Sequence, residues 1–377
     1  MDHALHHLID NIRSASAERR ALHIQAGGSK NFYGASITGA PLDVRPLTGI
    51  VSYEPSELVV TVRAGTPLAE LEAALAEKGQ CLPFEPPHFG FSPGAASVGG
   101  MVAAGFSGPS RASVGPVRDY VLGLQMVNGK AEHLTFGGQV MKNVAGYDVS
   151  RLMVGSWGML GVITEVSLKV LPFAPAQATL RFAMDEATML HQLNVWGGQS
   201  LPLNASSWVI DNGQPTLYLR LRGAVAAVEA ACQRLLAEIP GQRVDSQTTA
   251  ADWTAARDLR LPWFTDGFAR GDDLWRLSVP QTAPALNVGD TMVDWLGAQR
   301  WVWAAHGDPA AAQRLHDAAQ KANGGATLFI AARAYSTMPK HSFMPLKPPL
   351  NRVHHAVKAE FDPQGIFNPG RMPWFGV

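Results

Sequence analysis

Apolar side chains recur at helical spacing in two stretches of the first third of the chain. Leucines and isoleucines stand three or four positions apart at residues 2–15 and again at 68–75, and this spacing predicts two amphipathic helices. Thr66 is the predicted N-cap of the second helix and Pro67 its first residue, because hydroxyl caps and first-turn prolines are common at helix starts.

Alternating apolar and polar residues predict strands in the same region. Val162, Thr164, Val166, Leu168 and Val170 share one face of a predicted strand, and Glu165, Ser167 and Lys169 lie on the other, as in a strand with one buried face. Residues 121–127 and 131–136 are also strand-like, and they flank Asn128-Gly129, a pair that favours a tight turn. We therefore expect a β-hairpin here.

The pattern changes near residue 174, where Pro172 and Pro175 suggest a boundary. Beyond it strand-like and helix-like segments alternate without glycine-rich loops, which predicts a separate α+β domain. Residues 361–372 form a rigid series of proline and glycine turns, and we expect this tail to return to the first domain. The predicted domains are residues 1–173, 174–336 and 337–377.

Three runs of small residues interrupt the first domain. They are GGSKNFYG at 27–34, which follows a predicted strand, the stretch at 84–123, and GSWGMLG at 155–161. Small side chains let a ligand approach the backbone closely, and loop N–H groups can hold phosphate oxygens. The spacing matches neither a P-loop nor the glycine fingerprint of a Rossmann domain. The runs therefore indicate a nucleotide site of another kind.

Composition narrows the class of protein. In 377 residues, lysine plus arginine and aspartate plus glutamate each total 31, so the basic excess typical of nucleic-acid binding is missing. Cys81 and Cys232 are too far apart for a disulfide framework or a thiolate metal site. No apolar run has the length of a membrane span. We expect a globular, cytoplasmic protein without a direct membrane span.

Seven segments, in this order, resemble those of flavoproteins that bind FAD through a PCMH-type (vanillyl-alcohol-oxidase-type) domain, and among them the FAD-binding subunits of bacterial glycolate oxidases. The segments are AGGSKNFYG, LPFEPP, GAASVGGMVAAGFSG, VRDYVLGL, KNVAGYD, GSWGMLGVIT and FDPQGIFNPGRM. The resemblance covers nearly the whole chain. It implies an α+β fold, with a PCMH-type FAD-binding domain of two α+β subdomains, an α+β cap domain, and a C-terminal tail that completes the flavin site.

The resemblance also implies which residues contact FAD. The first run would cradle the diphosphate, the second would add another wall, and the third would lie beside the adenine and ribose. Covalently flavinylated members carry a histidine directly after the Gly-Gly pair, where this chain has Ser29, so we expect non-covalent FAD. The implied cofactor-binding residues are Gly27, Gly28, Ser29, Lys30, Asn31, Pro87, Gly94, Ala95, Ser97, Val98, Gly99, Gly100, Ser107, Asp119, Gly155, Gly158, Gly161, Val162, Ile163 and Asn368.

The catalytic residues stay open at this point. Oxidation of a 2-hydroxy acid on flavin needs a base for the hydroxyl proton and a cation for the carboxylate. Relatives that do this resemble one another in a metal-binding H-G-D-x-N-x-H element, of which this chain keeps His306-Gly307-Asp308 without the second histidine, so we expect no metal. The candidates for base or carboxylate clamp, each with an ordinary structural alternative, are Arg276, Arg333, His354, His355 and Arg371.

Three functions fit these observations. The chain is one FAD subunit of a glycolate oxidase that converts glycolate to glyoxylate with a sister FAD subunit and an iron–sulfur subunit, which would also hold it at the inner membrane. Alternatively, it is a self-sufficient flavin dehydrogenase or oxidase for a small 2-hydroxy acid such as D-lactate, or an FAD-stabilised scaffold without turnover. The incomplete metal element and the tryptophan-rich second domain, whose aromatic side chains suit an interface, favour the first.

Overall fold

The computed structural model describes residues 3–90, 95–138, 147–333 and 342–373. The strands of these residues are β1 (Leu22–Gln25), β2 (Ala40–Asp43), β3 (Ile50–Glu54), β4 (Val59–Arg63), β5 (Gln80–Cys81), β6 (Val121–Val127), β7 (His133–Gly137), β8 (Val162–Lys169), β9 (Leu171–Pro172), β10 (Ala176–Ala183), β11 (Leu203–Asp211), β12 (Gln214–Gly223), β13 (Gly241–Val244), β14 (Asp272–Ser278), β15 (Thr291–Asp294), β16 (Gln299–Ala305) and β17 (Gly325–Ile330). Their helices are α1 (His3–Glu18), α2 (Leu68–Ala76), α3 (Val98–Ala104), α4 (Arg111–Val114), α5 (Val149–Leu152), α6 (Glu186–Gly197), α7 (Val225–Glu238), α8 (Ser246–Arg257), α9 (Pro262–Arg270), α10 (Pro309–Lys321) and α11 (Leu350–Phe361). No helix in this described part of the chain is long and apolar enough to cross a membrane.

The chain divides into two compact units. The first consists of Met1–Ser107, Pro116–Phe173 and Pro345–Val377, and the second of Gly108–Gly115 and Ala174–Met344. The predicted boundaries place Gly108–Gly115 in the first domain. This segment groups with the second unit because α4 packs against β11, where the Ser113 hydroxyl donates a hydrogen bond to the Asn204 carbonyl at 2.9 Å.

Over its described residues, the first unit contains one five-stranded sheet and two two-stranded sheets, one of which pairs β5 with β9. The five-stranded sheet is antiparallel with the order β3-β4-β8-β6-β7, and α3 contacts β4 and β8 in it. The other two-stranded sheet pairs β1 and β2 in parallel, and the apolar face of α1 covers it through Leu8 and Ile12. These side chains pack with Leu22 and Phe367 in one core. The arrangement has the α+β character that the sequence predicts.

The C-terminal tail of the first unit is tied to β1. The Leu22 N–H donates to the Ile366 carbonyl at 2.7 Å, and the Asn368 N–H donates to the Leu22 carbonyl at 3.0 Å. Upstream, the buried Lys358 ammonium contacts the Asp362 carboxylate at 2.6 Å and donates to the Met159 carbonyl at 2.6 Å. The tail therefore returns to the first unit, as the sequence predicts.

The second unit is built on an antiparallel sheet with the order β13-β10-β12-β11-β15-β16-β14-β17. Side chains of β10 and β12 on one face, such as Leu180 and Leu219, form a core with Trp196 of α6 and Leu235 of α7. A second cluster joins β14, β16 and β17 to α10. This confirms the α+β prediction for the second half of the chain.

Two local predictions need correction. Thr66 does not cap α2: the cap is Pro67, and the Thr66 hydroxyl instead accepts a hydrogen bond from the Gly49 N–H at 2.9 Å. The hairpin forms between β6 and β7, but its second strand begins at His133 and not at residue 131. The Asn128 side-chain carbonyl accepts the N–H groups of Lys130 and Glu132, both at 3.0 Å, and these bonds stabilise a longer turn.

Candidate functional site

A cleft in the first unit brings together parts of all three runs of small residues and the tail. It holds about 780 Å³ of space, its open mouth included. Its lining residues are Ile24, Gln25, Ala26, Gly28, Ser29, Lys30, Asn31, Ile37, Val44, Ala64, Ser97, Gly99, Gly100, Ala103, Ala104, Trp157, Gly158, Gly161, Ile163, Asn368 and Arg371.

The first wall is the loop that follows β1. Gly28 has a φ of +71°, a left-handed conformation that glycine adopts without strain. This turn lets the Asn31 N–H donate to the Gly28 carbonyl at 3.0 Å. The loop thereby presents Ser29, Lys30 and Asn31 to one small space, and the first two of these side chains are buried.

The second wall is the start of α3, and glycine brings it against the first wall. Ser97 caps this helix by accepting a hydrogen bond from the Gly100 N–H at 3.2 Å. A Cβ on Gly27 would collide with the carbonyl group of Ala95, and a Cβ on Gly99 would lie 2.6 Å from that of Ala64. These two glycines therefore serve the contact between protein segments.

The tail closes the site through one amide. The Asn368 side chain accepts the Ile24 N–H at 2.9 Å and donates to the Trp157 carbonyl at 2.8 Å. A Cβ on Gly158 would lie 2.7 Å from the Asn368 amide nitrogen, so the glycine leaves room for this bridge. Asn368 thus joins β1 to the third run of small residues.

The cleft is electropositive. Its lining includes Lys30 and Arg371 but no carboxylate among the residues that the structure describes. Lys30 is 7% exposed and Arg371 4% exposed, and the Lys30 ammonium donates to the Ser29 hydroxyl at 3.2 Å. Burial lowers the pKa of Arg371 to about 10, so it remains charged at neutral pH. Buried cations of this kind favour an anionic ligand.

This lining fits FAD. The two cations and the hydroxyls of Ser29 and Ser97 suit a diphosphate. Apolar side chains such as Ile24 and Ile163 offer flat contact to ring systems. When bound, FAD would be held by these groups, and it would supply two-electron redox chemistry.

The structure brings together just over half of the cofactor-binding residues that the sequence implies. Ser107 and Asp119 are placed elsewhere: the Ser107 hydroxyl accepts the Val117 N–H at 3.2 Å, and Asp119 is exposed beside Arg118. Gly94 lies outside the described residues. The implied residues that line the cleft are Gly28, Ser29, Lys30, Asn31, Ser97, Gly99, Gly100, Gly158, Gly161, Ile163 and Asn368. Those described but not lining it are Gly27, Pro87, Ala95, Val98, Ser107, Asp119, Gly155 and Val162.

Of the catalytic candidates in the first unit, Arg371 lines the cleft. His354 and His355 lie on α11, where burial and then the charge of His355 lower the pKa of His354. Trp157, which is not among the residues implied by the sequence, also lines the cleft, and it stacks on Tyr33 with ring centroids 4.7 Å apart. Its position between two glycines of the third run was the available signal.

The candidates in the second unit occupy structural settings. The Arg276 guanidinium lies over the Phe329 ring at 5.0 Å, and Arg333 is exposed after β17. His306, directly after β16, lies 2.8 Å from the Asp273 carboxylate. Asp273 also accepts the Ala332 N–H at 2.8 Å. His306 and Asp273 thus help join the ends of neighbouring strands.

Comparison with known proteins agrees with this site. Residues 5–137 match the model of a family described as FAD binding domain. The chain is 43% identical over 366 residues to glycolate oxidase subunit GlcE of Escherichia coli (strain K12), which covers 97% of this chain and 96% of that protein. It is 30% identical to glycolate oxidase subunit GlcD of Bacillus subtilis (strain 168), over 46% of this chain and 36% of the relative.

A solved structure supports the fold. An alkyldihydroxyacetonephosphate synthase superposes with a TM-score of 0.68 over 96% of this chain and 74% of that one, at 16% identity. The predicted α+β fold of PCMH type and the predicted FAD cofactor are confirmed. The chain belongs to the family of FAD-dependent oxidoreductase subunits that includes glycolate oxidase subunit GlcE.

Proposed function

We propose that the chain is an FAD-carrying subunit of a multi-subunit glycolate oxidase, which oxidises glycolate to glyoxylate and passes two electrons to an iron–sulfur partner. The observation that carries this proposal is the 43% identity to GlcE over nearly the full length of both chains. The second relative, named glycolate oxidase subunit GlcD, supports a sister subunit as partner. In this proposal residues 1–173 form the FAD-binding domain, 174–336 the cap and 337–377 the tail.

The residues of the cleft have separate tasks in this function. Ser29 and Lys30 bind the phosphate groups, and Asn368 fixes the third run against β1 so that the apolar walls can orient the flavin. Oxidation of glycolate releases two electrons and two protons, and FAD when bound is the two-electron acceptor. The incomplete metal element at His306-Gly307-Asp308 supports a division of labour, in which the sister subunit supplies much of the substrate chemistry.

Anaerobic titration of the purified chain tests the proposal. Glycolate is added to the chain alone and to the chain co-purified with its partner subunits, and flavin absorbance is followed. We expect bleaching in the complex and none in the isolated chain. Bleaching of the isolated chain by glycolate or D-lactate would favour the self-sufficient dehydrogenase, and a complex that never bleaches would favour the scaffold.

The mode of FAD attachment is tested by acid precipitation. Because Ser29 follows the Gly-Gly pair, we propose non-covalent FAD, and all yellow colour should appear in the supernatant. A matched control is the Ser29→Ala variant, which removes the hydroxyl and should release flavin in the same way. Colour that stays in the washed pellet would contradict this proposal.

We also propose that the complex lies in the cytoplasm and is held at the inner membrane through its partner subunits.

A further inference from the structure

Arg371 is a buried cation whose positive charge is balanced only weakly by the surrounding protein groups. Its side chain is 4% exposed, and its guanidinium donates to the Ala35 carbonyl at 3.0 Å and to the Lys30 carbonyl at 3.1 Å. It also lies over the Trp157 ring at 5.5 Å. These contacts fix the position of the guanidinium without neutralising its charge.

Part of the hydrogen-bonding capacity of this side chain is still available. A guanidinium has five N–H groups, and the carbonyls of Ala35 and Lys30 accept from two of its nitrogens. Among the residues that the structure describes, no carboxylate lies within 4 Å of it and no further acceptor is bonded to it. Burial of a charge in this way costs free energy unless a counter-charge arrives. Because Arg371 lines the cleft, a ligand can supply that counter-charge.

The position of Arg371 indicates which part of the ligand its guanidinium would contact. Its Nη2 atom donates to the carbonyl of Lys30, which belongs to the loop at residues 28–31. Its backbone is fixed at the same loop, since the Ala35 N–H donates to the Arg371 carbonyl at 3.1 Å. The charge of Arg371 also contributes, after burial, to the lowered pKa of His23 on the neighbouring strand. The guanidinium therefore lies at the loop that the sequence associates with phosphate.

We infer that Arg371 joins Lys30 in neutralising the diphosphate of FAD, and that it makes the cleft selective for a flavin dinucleotide over a flavin without phosphate. This inference rests on the FAD-binding function given above. Arg371 is a binding and positioning residue in this proposal. Because it lies in the C-terminal tail, far along the chain from the loop at residues 28–31, the site is complete only when the tail packs against the first unit.

Equilibrium binding of three ligands tests the inference. FAD contains both flavin and diphosphate, riboflavin contains the flavin alone, and ADP contains the diphosphate alone. The apoprotein of the full chain is titrated with FAD and riboflavin by flavin fluorescence, and with ADP in competition with FAD. The variants are Arg371→Gln, which keeps amide donors for the two carbonyls, and Arg371→Lys, which keeps the charge. Arg13→Gln, an exposed position on α1, is the matched control.

The expected result is selective. Arg371→Gln should weaken FAD and ADP by ~10- to 100-fold, the range for a lost charge-assisted hydrogen bond in a buried site, and should leave riboflavin affinity unchanged. Arg371→Lys should retain most of the FAD affinity, and Arg13→Gln all of it. Equal losses for FAD and riboflavin would overturn the inference and move Arg371 to the flavin ring. Unchanged FAD affinity in Arg371→Gln would reduce Arg371 to a structural role.

Salt dependence keeps the test decisive if Arg371→Gln fails to fold. For the wild-type chain and Arg371→Lys, rising NaCl should weaken FAD and ADP but not riboflavin, because screening acts on the phosphate charges. FAD and ADP affinities that do not change with the NaCl concentration would contradict the inference. A wild-type chain that binds none of the three ligands contradicts the FAD assignment itself, whereas wild-type binding with full retention in Arg371→Gln contradicts only the role of Arg371.

Discussion

Gly27 shows how one position controls the shape of the cleft. A Cβ at this residue would collide with the carbonyl group of Ala95, which belongs to the backbone and cannot rotate away. We predict that Gly27→Ala separates the two walls, lowers the free energy of unfolding by about 1–3 kcal/mol as for other overpacked sites, and lowers flavin content. Urea unfolding and the flavin-to-protein absorbance ratio measure both effects.

The matched control for Gly27 is Gly90 in the same unit. Within the part of the chain that the structure describes, a Cβ there would meet nothing within 4 Å, and its φ is not left-handed. Gly90→Ala should therefore fold and bind flavin as the wild type does. If Gly27→Ala behaves like Gly90→Ala, the contact with Ala95 does not limit the site.

We predict that the buried carboxyl group of Asp294 makes the stability of the second unit depend on pH. Burial raises the pKa of its carboxyl from 3.8 to about 6, although the Trp301 indole N–H, donating at 2.9 Å, favours the charged form. The folded state therefore binds a proton more tightly than the unfolded state. The stability that the folded state gains from this tighter proton binding is present in full below about pH 4 and is lost as the pH rises through 6.

Asp294→Asn should flatten this dependence, since the amide keeps an acceptor for Trp301 and does not titrate. Chemical unfolding followed by tryptophan fluorescence, between pH 4 and pH 7, provides the measurement. Asp317→Asn, on the exposed face of α10, should leave the slope as it is in the wild type. An identical slope in wild type and Asp294→Asn would show that this carboxyl titrates normally.

At the scale of elements, α11 controls the position of the tail. Its buried Lys358 contacts the Asp362 carboxylate, and that carboxylate also accepts the N–H groups of Ile366 and Phe367 at 3.1 and 2.9 Å. Lys358→Met would leave a buried carboxylate without its cation, at a cost of about 3–5 kcal/mol. We predict that the tail detaches from β1 and that flavin affinity falls with stability, as measured by thermal unfolding with fluorescence detection of released flavin.

Lys130 offers the control for this element. It also forms an ion pair with α11, through Glu360 at 2.9 Å, but both side chains are exposed. Solvent screens such a pair, so Lys130→Met should have no measurable effect on stability or flavin release. A similar loss in both variants would mean that any contact to α11 suffices, and that the buried pair has no special importance.

The elements themselves were largely predictable from local patterns. Helical spacing located α1 and α2, and alternation located β8, because these periods follow from backbone geometry alone. α3 was not predicted as a helix, since glycine and alanine dominate it and an apolar stripe is hard to recognise there. The prediction that Thr66 caps α2 was wrong because the Thr66 hydroxyl forms a hydrogen bond with Gly49, a residue 17 positions away.

At the scale of the molecule, FAD should stabilise the two units unequally. The cleft lies within the first unit, and a ligand that binds the folded state protects the segments it contacts. We predict that excess FAD slows amide hydrogen exchange in β1 and α3 but not in the edge strand β13. Mass spectrometry of the apoprotein with and without FAD gives this comparison. Equal protection in β13 would show that the ligand stabilises the whole chain as one cooperative unit.

The sequence by itself determined the class of fold, the cofactor and the three runs that contribute to its site, because these depend on local periodicity and on motifs in a set order. The tertiary structure decided which members of the runs face the cleft. Gly27 packs against Ala95, while Gly28 beside it lines the cleft. Only folding brings Arg371 to the loop at residues 28–31 and buries it, since contacts between residues more than 300 positions apart leave no periodic trace along the chain.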